Sequence, residues 1–218
     1  MTTVPTDPTL PAATATDADG GAHAEPRSVA VFCGSSSGTS PAFREAAVAT
    51  GTELARRNCR LVYGGGHVGL MGAVADAVLA AGGAVTGVIT EQLLALEVAH
   101  TGLTDLEVVA DMHVRKARMA ALSDGVIVLP GGFGTYEEMF EILTWNQLGI
   151  VSMPVVLLDV TAEGRGFYAP LTELVDGAVA AGFMKPDHGA LVHRVDSAAE
   201  AVAVARAPAA AFTPKWVG

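Results

Sequence analysis

The stretch that most constrains this chain is residues 130–138, PGGFGTYEE. It follows an apolar run, 125–129 (GVIVL), with the length and composition of a buried strand, and it leads into a helical run, 139–148. A strand, a glycine turn and a helix together form a cradle for an anion. Glycines let the backbone approach a ligand with no side chain in the way. The free N–H groups and dipole of a helix start then favour negative charge. Thr135 and Glu138 also have the threonine-x-x-glutamate spacing of a capping box, in which Glu138 would only close the helix end. Both readings are open on sequence alone. The position at a strand end, where ligands bind in open α/β sheets, favours the ligand.

The rest of the chain repeats this alternation. Strand-like apolar runs fall at 28–33, 61–63, 84–89, 106–109, 125–129, 154–158 and 191–195. Helical patterns fill 40–57, a stretch ending near 81, a short piece at 91–97, then 112–122, 139–148 and 168–181, and Ser197 is placed to cap a final helix. Strands that alternate with helices predict an α/β fold: a single doubly wound parallel sheet, Rossmann-like, with helices on both faces. One domain is expected over 28–206. Residues 1–27, rich in Thr, Ala, Pro and Asp, read as a disordered tail without the basic start or apolar core of a signal peptide, and 207–218 as a C-terminal tail. The run 71–89 is apolar enough to imitate a membrane span, but Asp76, Gly82 and Gly83 divide it into helix, turn and strand. No membrane association is expected, and the setting reads as cytoplasmic.

The net charge of −10 is the wrong sign for a nucleic-acid backbone binder, yet a local cluster of cations can still hold a small anion. The two cysteines, Cys33 and Cys59, have no metal or redox spacing, and Cys33 in its apolar run reads as core. The six histidines form no i,i+4 pair and no HExxH, so no metal site is expected. Glycine turns recur after the first, second and fifth strands. In a doubly wound sheet these ends share one edge, so Ser35 from the first turn and Gly65 and Gly66 from the second are candidates to line one crevice with Gly131, Gly132, Gly134 and Thr135.

Each turn has a second reading. GGGHVG at 64–69 fits the dinucleotide fingerprint, but the next strand ends in Ile89-Thr90 where an acidic residue should bind the ribose, and Glu91 is marginal. GSSSG at 34–38 matches a nucleophile elbow centred on Ser36, but no earlier strand loop can supply the second oxyanion donor. Arg115, Lys116 and Arg118 are either a solvated basic face or a set from which Arg115 reaches a phosphate or a developing charge, a task suited to a planar fork that is always charged. Cations near a helix start oppose its dipole, which favours the second reading. Lysine is scarce, and Lys116 is the only one near a glycine cradle, which argues against a pyridoxal phosphate enzyme.

Taken together, these residues resemble the LONELY GUY family of cytokinin-activating phosphoribohydrolases. PGGxGTxxE is matched at 130–138, with VFCGSSSG at 31–38, VYGGGHVGLMG at 62–72, MHxRK at 112–116 and LTWNQLG at 143–149. The resemblance runs over about 28–203. It implies hydrolysis of the N-glycosidic bond of a cytokinin riboside 5′-monophosphate to free base and ribose 5-phosphate, with no cofactor. AMP is an alternative substrate, and a non-catalytic nucleotide or molybdenum-cofactor carrier an alternative role on the same fold. The resemblance maps the catalytic pair onto Arg115 and Glu138. It maps substrate contacts onto Glu97, Arg115, Lys116, Gly132, Gly134, Thr135 and Thr144, and it implies a homodimer. Members have also been labelled lysine decarboxylases, which the scarcity of lysine opposes. The chain departs from the family pattern at Thr90, where proline is frequent, and over 93–102, the stretch that carries Glu97.

Overall fold

Short apolar runs separated by amphipathic ones build the observed order. In the computed structural model the elements are β1 Ser28–Phe32, α1 Pro41–Arg56, β2 Arg60–Tyr63, α2 Gly69–Ala80, β3 Val85–Thr90, α3 Glu91–Ala95, β4 Asp105–Val109, α4 Met112–Ala121, β5 Gly125–Val128, α5 Phe133–Leu148 and β6 Val155–Leu158. A small hairpin follows, β7 Thr161–Ala162 and β8 Arg165–Gly166, and then α6 Ala169–Ala180, α7 Pro186–Gly189, β9 Val192–Val195 and α8 Ala198–Ala205. The structure describes residues 27–96 and 98–209; the expected tails, apart from Arg27 and 207–209, lie outside the described residues, as does Glu97.

Seven strands form one sheet in the order β4-β3-β2-β1-β5-β6-β9, and every neighbouring pair is parallel. The winding runs outward from β1 to β4 and then returns to the other side of β1 with β5. The turns after β1 and β5 therefore face each other at the switch point, where neighbouring helices leave on opposite faces and open a crevice.

In the central strands side chains alternate between two covered faces, so both sets are apolar, whereas the edge strand β4 is largely exposed. Val29, Val31, Ile127, Val156 and Leu158 pack with α1, α2 and α8 through Phe43, Leu54, Val74, Val78 and Val202. Ala30, Phe32, Val126, Val128, Val155 and Leu157 pack with α4 and α5 through Met119, Met139 and Ile142. The membrane-like run 71–89 resolves into α2, a turn at Gly82-Gly83 and β3. No helix among the described residues is long and apolar enough to cross a membrane.

Two parts differ from the sequence reading. The hairpin β7–β8 and the four-residue α7 had no apolar period to announce them. More consequentially, α5 starts at Phe133, six residues before the helical run read from the pattern. Thr135, Met139, Ile142 and Asn146 are its buried residues, spaced as one helical stripe. Packing of that stripe outweighs the cost of Gly134 inside a helix, about 1 kcal/mol. The capping-box reading of Thr135 and Glu138 is thereby overturned, because the N-cap is Gly132 and Thr135 already lies in the first turn.

A buried strut fixes the end of β5. Asp159, after β6, accepts from the backbone N–H of Tyr168 at 2.7 Å and from the Nε of Arg194 at 2.6 Å. The Tyr168 hydroxyl donates to the carbonyl of Leu129 at 2.6 Å, one residue before the PGG turn. Tyr168→Phe leaves that buried carbonyl without its donor, so it is expected to cost about 1–3 kcal/mol, read as a lower urea midpoint at an unchanged m-value.

Candidate active site

Three turns meet at the switch point because backbone bonds tie them together. The Gly34 N–H donates to the Pro130 carbonyl at 3.0 Å, and the Leu70 N–H to the Gly34 carbonyl at 3.0 Å. The approach is too close for side chains. A Cβ on Gly131 would stand 2.1 Å from the Thr135 Oγ1 and 2.9 Å from the Gly34 nitrogen. Gly69, at φ +62, would place one 2.3 Å from the Ser35 carbonyl carbon. Between the turns lies a cavity of about 270 Å³. Cys33, Gly34 and Ser35 after β1, Gly64 after β2, Met71 from α2, Met112 and Arg115 from α4, and Gly132 to Thr135 with Glu137 and Glu138 from α5 line it.

The start of α5 supplies the anion-binding end. Gly132 offers no side-chain cap, and the first N–H groups of a helix have no acceptor within it. The N–H groups of Phe133, Gly134 and Thr135 therefore combine with the helix dipole at the cavity wall. The Thr135 hydroxyl folds back over Gly131, which explains why a Cβ has no room there.

The charged end is an ion pair between a buried guanidinium and a half-buried carboxylate. Arg115 is 6% exposed. Its Nε donates to the Val88 carbonyl at 2.9 Å and its Nη2 to the Gly64 carbonyl at 3.3 Å. That leaves Nη1, which meets the Glu138 Oε1 at 3.2 Å. Two backbone carbonyls just past the end of the β2–β3 pairing thus aim the guanidinium at the carboxylate. Burial pushes the Glu138 carboxyl above the ordinary carboxylate range; Arg115 and Lys116 pull against that, and Glu137 adds to it. Burial also raises the Cys33 thiol, with the charge of Glu138 a further cause. A carboxyl of raised basicity, fixed by a cation and facing a cavity, suits proton transfer or the stabilisation of a developing cation.

Of the residues expected at a site, Ser35, Arg115, Gly132, Gly134, Thr135 and Glu138 line this cavity. Gly131 lines an adjoining cavity of about 250 Å³ on the far side of the Gly34–Gly132 wall. Gly65 and Gly66 instead pair with the segment 98–100, through the His100 N–H to the Gly65 carbonyl at 2.8 Å and a bridge between Gly66 and Ala99. Thr144 lines a separate small cleft with Gln147 and His188, and its hydroxyl donates to the Phe140 carbonyl at 2.7 Å. Lys116 is buried and bonds to Glu137 and Glu141. Glu97 lies outside the described residues. The solvated-face reading fails for Arg115 and Lys116, while Arg118 is a surface partner of Glu107 at 2.6 Å. Gly64 and Phe133 lie within turns the sequence had singled out, while Val31, Cys33, Met71, Met112 and Glu137 were missed. The only signal for them was position beside the turns.

Comparison with known proteins identifies relatives of the chain. The family model described as "Possible lysine decarboxylase" matches residues 71–204. A probable cytokinin riboside 5′-monophosphate phosphoribohydrolase of Oryza sativa subsp. japonica is 50% identical over 81% of this chain and 77% of its own. Cytokinin riboside 5′-monophosphate phosphoribohydrolases of Arabidopsis thaliana and Rhodococcoides fascians are 46% and 45% identical, covering 80% and 89% of this chain and 80% and 96% of theirs. Among solved structures, the molybdenum cofactor binding protein of Rippkaea orientalis superposes with a TM-score of 0.60 at 20% identity, over 82% of this chain and 94% of that one. At that identity the likeness concerns the fold alone.

The cradle can be tested without any substrate. Inorganic phosphate is expected to raise the melting temperature of the wild type in a saturable way. Gly131→Ala, which drives a methyl into Thr135 and the Gly34 turn, is expected to remove that increment whatever its effect on the baseline; an undiminished increment would place the anion elsewhere.

Proposed function

This chain belongs to the LONELY GUY family of cytokinin riboside 5′-monophosphate phosphoribohydrolases, and on that premise we propose that it hydrolyses the N-glycosidic bond of such nucleotides to free base and ribose 5-phosphate. The observation that carries the proposal is the Arg115–Glu138 pair beside an uncapped helix start in one cavity. A carrier needs the cradle but has no use for a carboxylate held by a cation.

The chemistry follows from that arrangement. The 5′-phosphate rests on the backbone N–H groups at the start of α5, and its binding energy holds the sugar in place. Breaking the C1′–N bond sends the electron pair to the base, which takes up a proton from solvent, and builds positive charge on the ribose, as in other glycoside cleavages. The Glu138 carboxylate stabilises that charge and takes a proton from the attacking water, whose oxygen bonds to C1′. Arg115 keeps Glu138 oriented and ionised. The residues that line the cavity supply these roles without a cofactor. The proposal extends to a homodimer in the cytoplasm. Exposed apolar side chains support the dimer: Met112 and Val114 on α4, Leu106 and Val108 on the edge strand β4, and Phe140, Leu148 and Ile150 on and after α5. Patches of this kind mark subunit contacts.

Purified protein given isopentenyladenosine 5′-monophosphate and AMP in parallel is expected to release base and ribose 5-phosphate, faster from the first. Glu138→Gln is expected to bind both and to lower kcat by about 100-fold or more. Equal rates on the two nucleotides would make the enzyme a general AMP nucleosidase, and no release from either would leave a carrier. Because the active form is ionised and burial raises the carboxyl, activity is expected to fall on acidification at a pH above that of an ordinary glutamate. Sedimentation should give a dimer, and Val114→Asp a monomer.

A further inference from the structure

The resemblance maps Lys116 to a substrate contact, yet the structure gives its ammonium group other work. The side chain is 8% exposed. Its Nζ donates to the Glu137 Oε1 and, at 3.1 Å, to the Glu141 Oε1. Those two carboxylates are four residues apart and so share one face of α5. Together with Lys116 they form a cluster of net charge −1, a poor seat for a phosphate dianion. The second oxygen of Glu141 is buried with no hydrogen-bond partner among the described residues, so this carboxylate depends on the lysine. Burial pulls the ammonium pKa down, and the bonds to Glu137 and Glu141 more than restore it.

We infer that Lys116 is a positioning residue: with Glu137 and Glu141 it forms a second ionic rung between α4 and α5, beside the Arg115–Glu138 rung, and it fixes where Glu138 stands over the cavity. Neighbours on a helix point about 100° apart. Arg115 and Lys116 are neighbours on α4, and Glu137 and Glu138 on α5, so the two rungs are not parallel. The buried stripe sets how α5 lies on the sheet, and the two ties set where residues 137–141 stand against α4. Glu137 belongs both to the rung and to the cavity wall, which couples the brace to the site. The charged groups that act on Glu138 are Arg115 and Lys116 from α4 and Glu137 from α5, and Glu138 in turn raises the Cys33 thiol after β1. Of these, Lys116 favours the ionised form of Glu138 and Glu137 opposes it.

The inference rests on the proposed hydrolase reading for its kinetic part, and its test has an arm that needs no turnover. The carboxyl carbon of Glu138, labelled with ¹³C and assigned through Glu138→Gln, is titrated by NMR in the resting protein. Lys116→Met is expected to move that titration to higher pH and Glu137→Gln to lower pH, while Lys116→Arg keeps it near the wild-type position. In steady-state assays Lys116→Met is expected to lower kcat by about tenfold to 100-fold, to leave inhibition by ribose 5-phosphate within about threefold, and to be rescued by Lys116→Arg. Weakened ribose 5-phosphate inhibition, with kcat and the Glu138 titration unmoved, would overturn the inference in favour of a phosphate contact. Should Lys116→Met fail to fold, Glu137→Gln decides: an unmoved Glu138 titration in that variant rejects the brace. An inactive wild type would sink the hydrolase reading, and the NMR arm would still decide this one.

Discussion

The site depends on one buried cation that must not wander. A guanidinium out of water loses its hydration, and a single carboxylate at 3.2 Å does not by itself restore what is lost. The fold answers with geometry. Gly64 follows the last residue of β2, and Val88 lies within β3 just past Gly87, its last residue paired with β2, so both carbonyls stand where the β2–β3 pairing has ended and accept from Arg115. The sheet edge that creates the crevice thus also supplies the acceptors that make the buried charge tolerable. The same arrangement explains why the turn after β2 is glycine: a Cβ on Gly64 would stand 2.0 Å from the Arg115 Nη2.

The helix starts divide in the same spirit. Ser40, Asp111 and Ser197 cap α1, α4 and α8 with their own side chains, so those helix ends are satisfied internally. The starts of α2, α6 and α7 at Val68, Tyr168 and Lys185 have no side-chain cap, and neither has the start of α5 at Gly132, whose first residues line the cavity. An unsatisfied helix end beside a cavity is a cost in the empty protein and a binding site once an anion is present. The strut from Asp159 through Tyr168 to Leu129 makes this possible, since it holds the end of β5 from behind without occupying the cradle.

Much of this architecture could be read from the sequence, for a physical reason. Buried parallel strands have no polar face, so runs such as SVAVF and GVIV identify themselves, and their alternation with helices implies the winding. The convergence of three turns followed from that winding, and Arg115 and Glu138 followed from resemblance. What stayed hidden was long-range pairing. No spacing rule links Gly65 to His100, Lys116 to Glu141 or Tyr168 to Leu129, because each contact is set by the sheet and not by the local chain. The start of α5 was misplaced because glycine-rich composition signals a turn locally. The stripe of Thr135, Met139, Ile142 and Asn146 makes it helix once the sheet is there to pack against.

The overall charge of −10 then becomes informative about how the ligand is held. An acidic protein that takes up a phosphate dianion needs a local positive potential, and there are two sources for one. Mobile lysines around the mouth would also attract counter-ions and competing anions. Here the two cations nearest the cavity, Arg115 and Lys116, are both buried and both committed to carboxylates. In the proposed hydrolysis the attraction for phosphate falls to backbone N–H groups, whose dipoles are fixed in direction and carry no net charge. In the proposed hydrolysis, positive charge near Glu138 serves the carboxylate, while the phosphate is held by backbone N–H groups at the other wall. Keeping these two tasks on different kinds of group lets the cavity bind an anion without giving up the carboxylate that a developing cation on the sugar requires.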